Sequence, residues 1–370
     1  KINMAQATAY NMTSARGARE DLSDQLKRVE PQDTPLYSLL PQSSAPNAML
    51  TEWNIDDLGA PNISPVLDGT DLQFVGTGAT LSTGSPGTAG NQGDFEFKFA
   101  NKVRAGNRIQ QLRSGFTVSP MTEKIAIAGL ASPYAEAKAK ATLELKRSLE
   151  VMIASNEKGA VQVGGLGDIS AGLGQWSNPN DGAGTMWHSS GINTASANYR
   201  PVAGSRLVFA SNKTLTENDG QGNNLSFRSM LQAVYEASGI KASYRLFAGP
   251  AVINAISDFT RTNSGATRFN QETTGGGSIS LSVVEYKSDY GVIQVVPDLF
   301  LFRSIAQPST LVSNSALLIT NDDNVSLKVM DGVTAVDLPD IGGGGKRGYV
   351  SFAGTTCVLN AKALGSISPS

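Results

Sequence analysis

Charge is segregated along this chain in a way that few compact folds accommodate. From Glu52 to Glu96 every charged side chain is acidic: Glu52, Asp56, Asp57, Asp68, Asp71, Asp94 and Glu96. From Lys98 to Arg113 every one is basic: Lys98, Lys102, Arg104, Arg108 and Arg113. Soluble surfaces ordinarily intersperse the two signs. A glycine-rich tip, Gly76 to Gly93, lies within the excursion and is too flexible to order without a partner. Limbs of this kind bury little of their own apolar surface. The pattern predicts a long hairpin over 51–118, built to lie against something else. Exposed ion pairs contribute only about 0–1 kcal/mol each, so the charges set register and partner choice.

The rest of the composition removes most chemistries. The 370 residues carry one histidine, His188, and one cysteine, Cys357, so clustered zinc ligands and an intrachain disulfide are excluded. Cys357 sits among Val350, Phe352, Val358 and Leu359 and is expected to be a buried core thiol. Net charge is −2, which argues against a sequence-reading DNA protein but not against a neutral wall around DNA. No apolar run approaches the roughly 18 residues of a membrane span. Lys1 is not an initiator methionine, so upstream residues are expected to have been removed or left out. Asp322-Asp323-Asn324 and Asn218-Asp219-Gly220 lack the spacing of a calcium loop and read as turns. In Asp340 to Gly348 an aspartate stands where a phosphate loop needs its first glycine, and Arg347 follows the lysine. No cofactor or metal site is expected.

Local patterning supplies the elements. Residues 1–50 read as an arm, with a short helical piece carrying Leu22, Leu26 and Val29, stopped by Pro31. The apolar knot Leu36-Tyr37-Ser38-Leu39-Leu40 follows and should dock on a neighbour or on the main body. Alternation at Phe95-Glu96-Phe97-Lys98-Phe99 marks a half-buried strand. One long helix is predicted over 134–156: Ser132 caps it, Pro133 opens it and Gly159 ends it. Its stripe is Ala141, Leu145, Leu149 and Met152, with Glu136 spaced to pair with Lys140. A Gly-, Ser- and Asn-rich loop follows, anchored by Trp176 and Trp187. Helices are then predicted over 226–238 and from Pro250 through Phe259, with strands at 244–248, 281–286, 292–296, 317–320 and 327–330. A last long strand is predicted over 349–359.

The order of these elements resembles the tailed-bacteriophage major capsid proteins of Hong-Kong-97 type. Arg19-Glu20-Asp21-Leu22 followed by Pro31-Gln32-Asp33-Thr34-Pro35-Leu36-Tyr37-Ser38-Leu39 is similar to the opening of one branch of phage head proteins. Gln110 to Ser119, the helix stretch Glu144-Leu145-Lys146-Arg147-Ser148-Leu149-Glu150, and Ser288 to Pro297 resemble that branch too. The resemblance implies an α+β fold. Its parts are an N-terminal arm (1–50), an extended E-loop (51–118), a peripheral domain with a spine helix (119–160), a Gly-rich insertion (161–200), an α/β axial domain (201–330) and a return to the peripheral domain (331–370).

It also implies a non-enzymatic shell subunit forming pentameric and hexameric capsomers around phage double-stranded DNA. Assembly is expected in the host bacterial cytoplasm and residence in the virion. Partners are other copies of the chain, a portal, and scaffold, protease or cementing proteins, with DNA only in non-specific proximity. Expected contacts between subunits are Leu36, Tyr37, Leu39, Asp56, Asp57, Asp68, Asp71, Lys98, Lys102, Arg104, Arg108 and Arg113. The competing readings are a tail-tube or decoration protein, and a β-rich hydrolase or carbohydrate-binding protein using His188 or the Asp322–Asn324 turn.

Overall fold

The computed structural model describes residues 28–45, 48–56, 103–125, 132–162, 165, 167–179, 200–209, 213–218, 224–241, 243–262, 285–320, 323–339 and 345–369. The helical piece around Leu22, the Phe95–Phe99 strand, the glycine-rich tip, Trp187 and His188 lie outside the described residues. In chain order the elements begin with α1 (Pro35–Leu39), β1 (Gln42–Ser44), β2 (Leu50–Ile55), β3 (Val103–Arg108), β4 (Gln110–Val118), α2 (Pro120–Lys124), α3 (Pro133–Ala154) and α4 (Leu173–Trp176). They continue with β5 (Arg206–Phe209), β6 (Thr214–Thr216), β7 (Asn224–Ser226), α5 (Phe227–Ser238), β8 (Ser243–Ala248) and α6 (Pro250–Thr262). The remaining strands are β9 (Glu285–Ser288), β10 (Gly291–Pro297), β11 (Ala316–Thr320), β12 (Val325–Leu338), β13 (Lys346–Val358) and β14 (Gly365–Pro369).

The chain packs as two units, one of residues 1–32, 113–145 and 333–351, the other of 33–112, 146–332 and 352–370. The larger unit holds a six-stranded sheet in the order β5-β14-β11-β8-β10-β9. Strands β8 and β10 run parallel, with Leu246 opposite Val295, and β9 returns antiparallel as the expected hairpin. Helices α5 and α6 cover the sheet. Phe227, Met230, Leu231 and Val234 pack with Val252, Ile256, Leu246, Ile293, Leu318 and Ile367 into one core. Local chemistry sets the limits of α5. The Ser226 hydroxyl accepts the Ser229 N–H, and Gly239 closes the helix at φ +66°, a conformation natural to glycine.

A second sheet runs β1-β12-β13-β4. Strand β1 pairs parallel to β12, with Gln42 opposite Leu327. Residues 42–44, within the expected arm, pair with their own chain. Helix α3 buries the predicted stripe, with Ala141, Leu145, Leu149 and Met152 each at most 6% exposed. It opens as expected, the Ser132 hydroxyl accepting the Ala135 N–H at 3.4 Å. Cys357 is buried, and burial pushes its thiol pKa up.

Several expectations are corrected. Helix α3 stops at Ala154 rather than near Gly159, because tertiary partners take its last carbonyls. Ala154 O accepts the Phe302 N–H, Ser155 O accepts the Gly174 N–H, and the Ser155 hydroxyl donates back to Met152 O. Glu136 does not pair with Lys140. Arg28 reaches its carboxylate at 2.7 Å, and Lys140 instead lies 4.0 Å from Glu144. Ala171–Ser177, expected in a loop, are all buried. Strand β12 extends eight residues beyond the predicted Met330. The chain also does not end on β13: β14 inserts between β5 and β11, so 365–369 join the sheet expected for 201–330.

Candidate functional site

The charged excursion begins and ends on a paired base. β2 and β3 run antiparallel, with Leu50 opposite Arg108 and Ile55 opposite Val103. The strands that flank residues 57–102 are therefore adjacent. Two devices fix that base. On β2, Trp53 lies with its ring centroid 5.7 Å from that of Trp176, the fully buried end of α4. On β3, Asn107 is 3% exposed and forms a closed amide clasp. Its Nδ2 donates to Ala171 O at 3.0 Å and Thr356 O at 2.9 Å, while its Oδ1 accepts the N–H groups of Ala171 and Arg108, both at 2.9 Å. A buried amide with this many partners fixes one orientation, since every alternative leaves buried polar groups unpaired.

The segment receiving the clasp is held equally closely. Gly172 sits where a Cβ would lie 2.3 Å from Ser155 O, an approach open only to glycine. The Ser170 and Thr355 hydroxyls meet at 2.9 Å, and the Thr356 hydroxyl donates to Ala171 O at 2.7 Å.

At the end of α3, the carboxylate of Glu150 accepts the N–H groups of Leu36 at 2.6 Å and Tyr37 at 2.8 Å. These are two of the orphan donors of α1's first turn. Glu150 is 0% exposed and lies beside Asp298, itself 3% exposed. Burial, then the Asp298 charge, raise the Glu150 pKa to about 8, and burial raises Asp298 to about 6.

A model of the SU10 major capsid protein family matches residues 4–369. The chain belongs to that family. This capsid protein also shares its fold with solved phage capsids. The cyanophage P-SCSP1u capsid protein is 11% identical, with a TM-score of 0.55 over 100% of this chain and 99% of that one. The chain from Gordonia phage Cozz is 10% identical, TM-score 0.54, over 100% and 98%. That from the bacteriophage PhiM1 mature capsid is 8% identical, TM-score 0.52, over 99% of both. No curated protein matches the sequence. The α+β Hong-Kong-97-type fold expected from the sequence is the fold of this capsid protein, and its function is to form a shell.

The expected contact residues of the capsid protein divide by environment. Asp57, Asp68, Asp71, Lys98 and Lys102 lie outside the described residues. Asp56 is exposed at the end of the paired base. Leu36 is wholly buried within its own chain, Tyr37 is half-buried, and Leu39 is 40% exposed, so of the two leucines it is Leu39 that offers apolar surface to another molecule. Arg104 sits 3.6 Å from Glu52 across the hairpin and is 62% exposed. Arg108 reaches Asp168 at 3.5 Å in a largely buried pair, and Arg113 stacks over the Tyr349 ring at 5.4 Å. The Asp322–Asn324 turn is structural at Asn324, whose amide exchanges two hydrogen bonds with the Asn360 backbone. Sequence reasoning missed Asn107, Glu150 and Asp298. The one available signal was an acid beside Leu149 on the stripe side of α3.

Proposed function

We propose that this capsid protein assembles through the hairpin spanning 51–118, used as an extended loop that lies across a neighbouring copy. The shell is icosahedral or prolate, built of pentameric and hexameric capsomers, and encloses phage double-stranded DNA. The observation supporting this reading is the pairing of β2 with β3, the strands that flank the charged segment on either side. In the same reading residues 1–50 are an arm, α3 is the spine helix, and the sheet covered by α5 and α6 belongs to the axial domain. The contacts are heterologous and close into rings. Portal, scaffold, protease or cementing proteins join during assembly in the host cytoplasm, DNA is enclosed by proximity, and the chain itself carries no catalytic role.

Deleting Ala79–Gly90 is expected to leave a folded, soluble chain that no longer forms shells. Sedimentation and negative-stain microscopy measure this, and normal shells from the variant would reject the hairpin as the assembly element. Arg104→Glu is expected to raise the assembly threshold several-fold at low salt and less at high salt, because exposed charges are screened within about 10 Å at 0.1 M. Arg104 suits this test because it is exposed, whereas reversing Arg108 would also break its buried pair with Asp168. A threshold that ignores both substitution and salt counts against a charged seam.

A further inference from the structure

Between β10 and β11 the chain makes a long connection, 298–315, that is fastened along its length. The Asp298 carboxylate accepts the Phe300 N–H at 2.8 Å. Arg303, 7% exposed, donates to Leu299 O at 2.5 Å and to Pro308 O at 2.8 Å, and its guanidinium lies 4.6 Å from the Phe300 ring centroid. The Ile305 N–H donates to the Glu157 carboxylate at 2.9 Å. At the far end the N–H groups of Gly249 and Ala251 donate to Ser315 O and Ser313 O. Phe302 is held at φ +53°, the one non-glycine residue in the left-handed region among the described residues. Such a conformation persists only where its surroundings over-determine the backbone. Here the Phe302 N–H is tied to Ala154 O, and its ring fills the space that a side chain at Gly174 would need. The loop is therefore preorganised.

What this rigid loop holds out is short of charge. Ile305 to Leu311 are consecutive exposed residues, and no residue from Ser304 to Asn321 is charged. Protein surfaces ordinarily carry about 25–35% charged residues. Ile305 is 44% exposed and Leu311 52%, and Arg303 ties the 36%-exposed Leu299 to Pro308 at the same tip. Exposed apolar side chains without charge around them have the composition of an interface core, and rigidity lowers the ordering cost of contact. Two features choose the occupant. A partner arriving from solution is steered by charge, which the tip lacks. One short loop also falls far below the ~800 Å² per partner that a stable complex of standard size buries. Both suit a neighbour already held in place by other contacts, as in the shell that this protein forms.

We propose that the tip 305–311 is an intersubunit contact, seated on a second copy of this chain in the assembled shell, and that assembly depends on it. The contact rests on shell formation alone and not on the charged hairpin, so either can fail without the other.

Photocrosslinking from position 311 tests the contact. Leu311 is replaced by p-benzoylphenylalanine in a minor fraction of subunits, the rest being wild type, so that shells still form. Irradiated shells are expected to yield a covalent product of two copies of the chain, identified by mass, and the unassembled chain none. A product with a different protein, or no product from shells, overturns the proposal. Ile305→Asp combined with Leu311→Asp tests the dependence, because it charges the tip without altering a buried side chain. The double variant is expected to keep the wild-type denaturant midpoint and to lower shell yield at least tenfold by sedimentation. Wild-type yield from the folded variant overturns the proposal. Should the variant fail to fold, the crosslink decides by itself.

Discussion

Trp176→Ala is expected to destabilise the unassembled chain by about 3–5 kcal/mol, the cost of removing a fully buried aromatic side chain and leaving a cavity. Trp176 has no exposed surface, ends α4 inside the 171–177 segment, and supports Trp53 on the hairpin base. Denaturant unfolding followed by far-ultraviolet circular dichroism measures the loss without relying on tryptophan fluorescence. Trp176→Phe should recover part of it, since the indole's aromatic partner would be kept in reduced form. A cost below about 1 kcal/mol for the alanine variant would mean that the segment collapses onto the cavity, and that Trp53 is not seated by it.

The second large effect is expected at Asn107. Asn107→Leu preserves approximate volume and removes every hydrogen bond of the clasp. The buried Ala171 N–H is left without its acceptor, at about 1–3 kcal/mol for such a group. The Thr356 and Ala171 carbonyls each lose the amide donor, although Ala171 O retains the Thr356 hydroxyl. The total is expected near 2–4 kcal/mol, again read by denaturant unfolding. Because the clasp ties β3 to β13 and the 171 segment, the variant should also assemble poorly under conditions where it remains folded. Loss of stability with unimpaired shells would show that the clasp serves folding alone. Normal stability would show that the buried groups find other partners.

How much was readable beforehand depended on the range of the signal. Helices α3, α5 and α6 announced themselves through caps, Pro at the first turn and apolar spacing, all contained within a few residues of one another. Strands β8, β10 and β11 read as short apolar runs for the same reason. What stayed hidden was decided at long range. Strand β14 holds Ile367 as its one large apolar residue, and it is a strand because β5 and β11 flank it. The Ala171–Ser177 segment looks like loop because its glycines and serines are permissive, yet those small side chains are what let it pack beneath Ser155. Glu150 sits beside an apolar stripe with nothing local to reveal that its partners lie on α1 and at Asp298. The charged limbs suggested a hairpin by composition alone, and of that stretch β2 and β3 are seen to pair. The Asn107 clasp that orients that base joins residues 249 positions apart and left no local trace.

The position of β14 has a consequence for synthesis. Its neighbour β5 is tied to it through Arg206 and Ser368, which stand 162 positions apart. At roughly 5–20 residues per second, a ribosome spends about 8–30 seconds between making the two. During that interval β5 has no strand beside it, and Leu318 and Val234 lack the Ile367 side of their core. A nascent chain thus carries β5 without its β14 partner until 365–369 have been made, so this side of the core is the last part of the sheet to be covered.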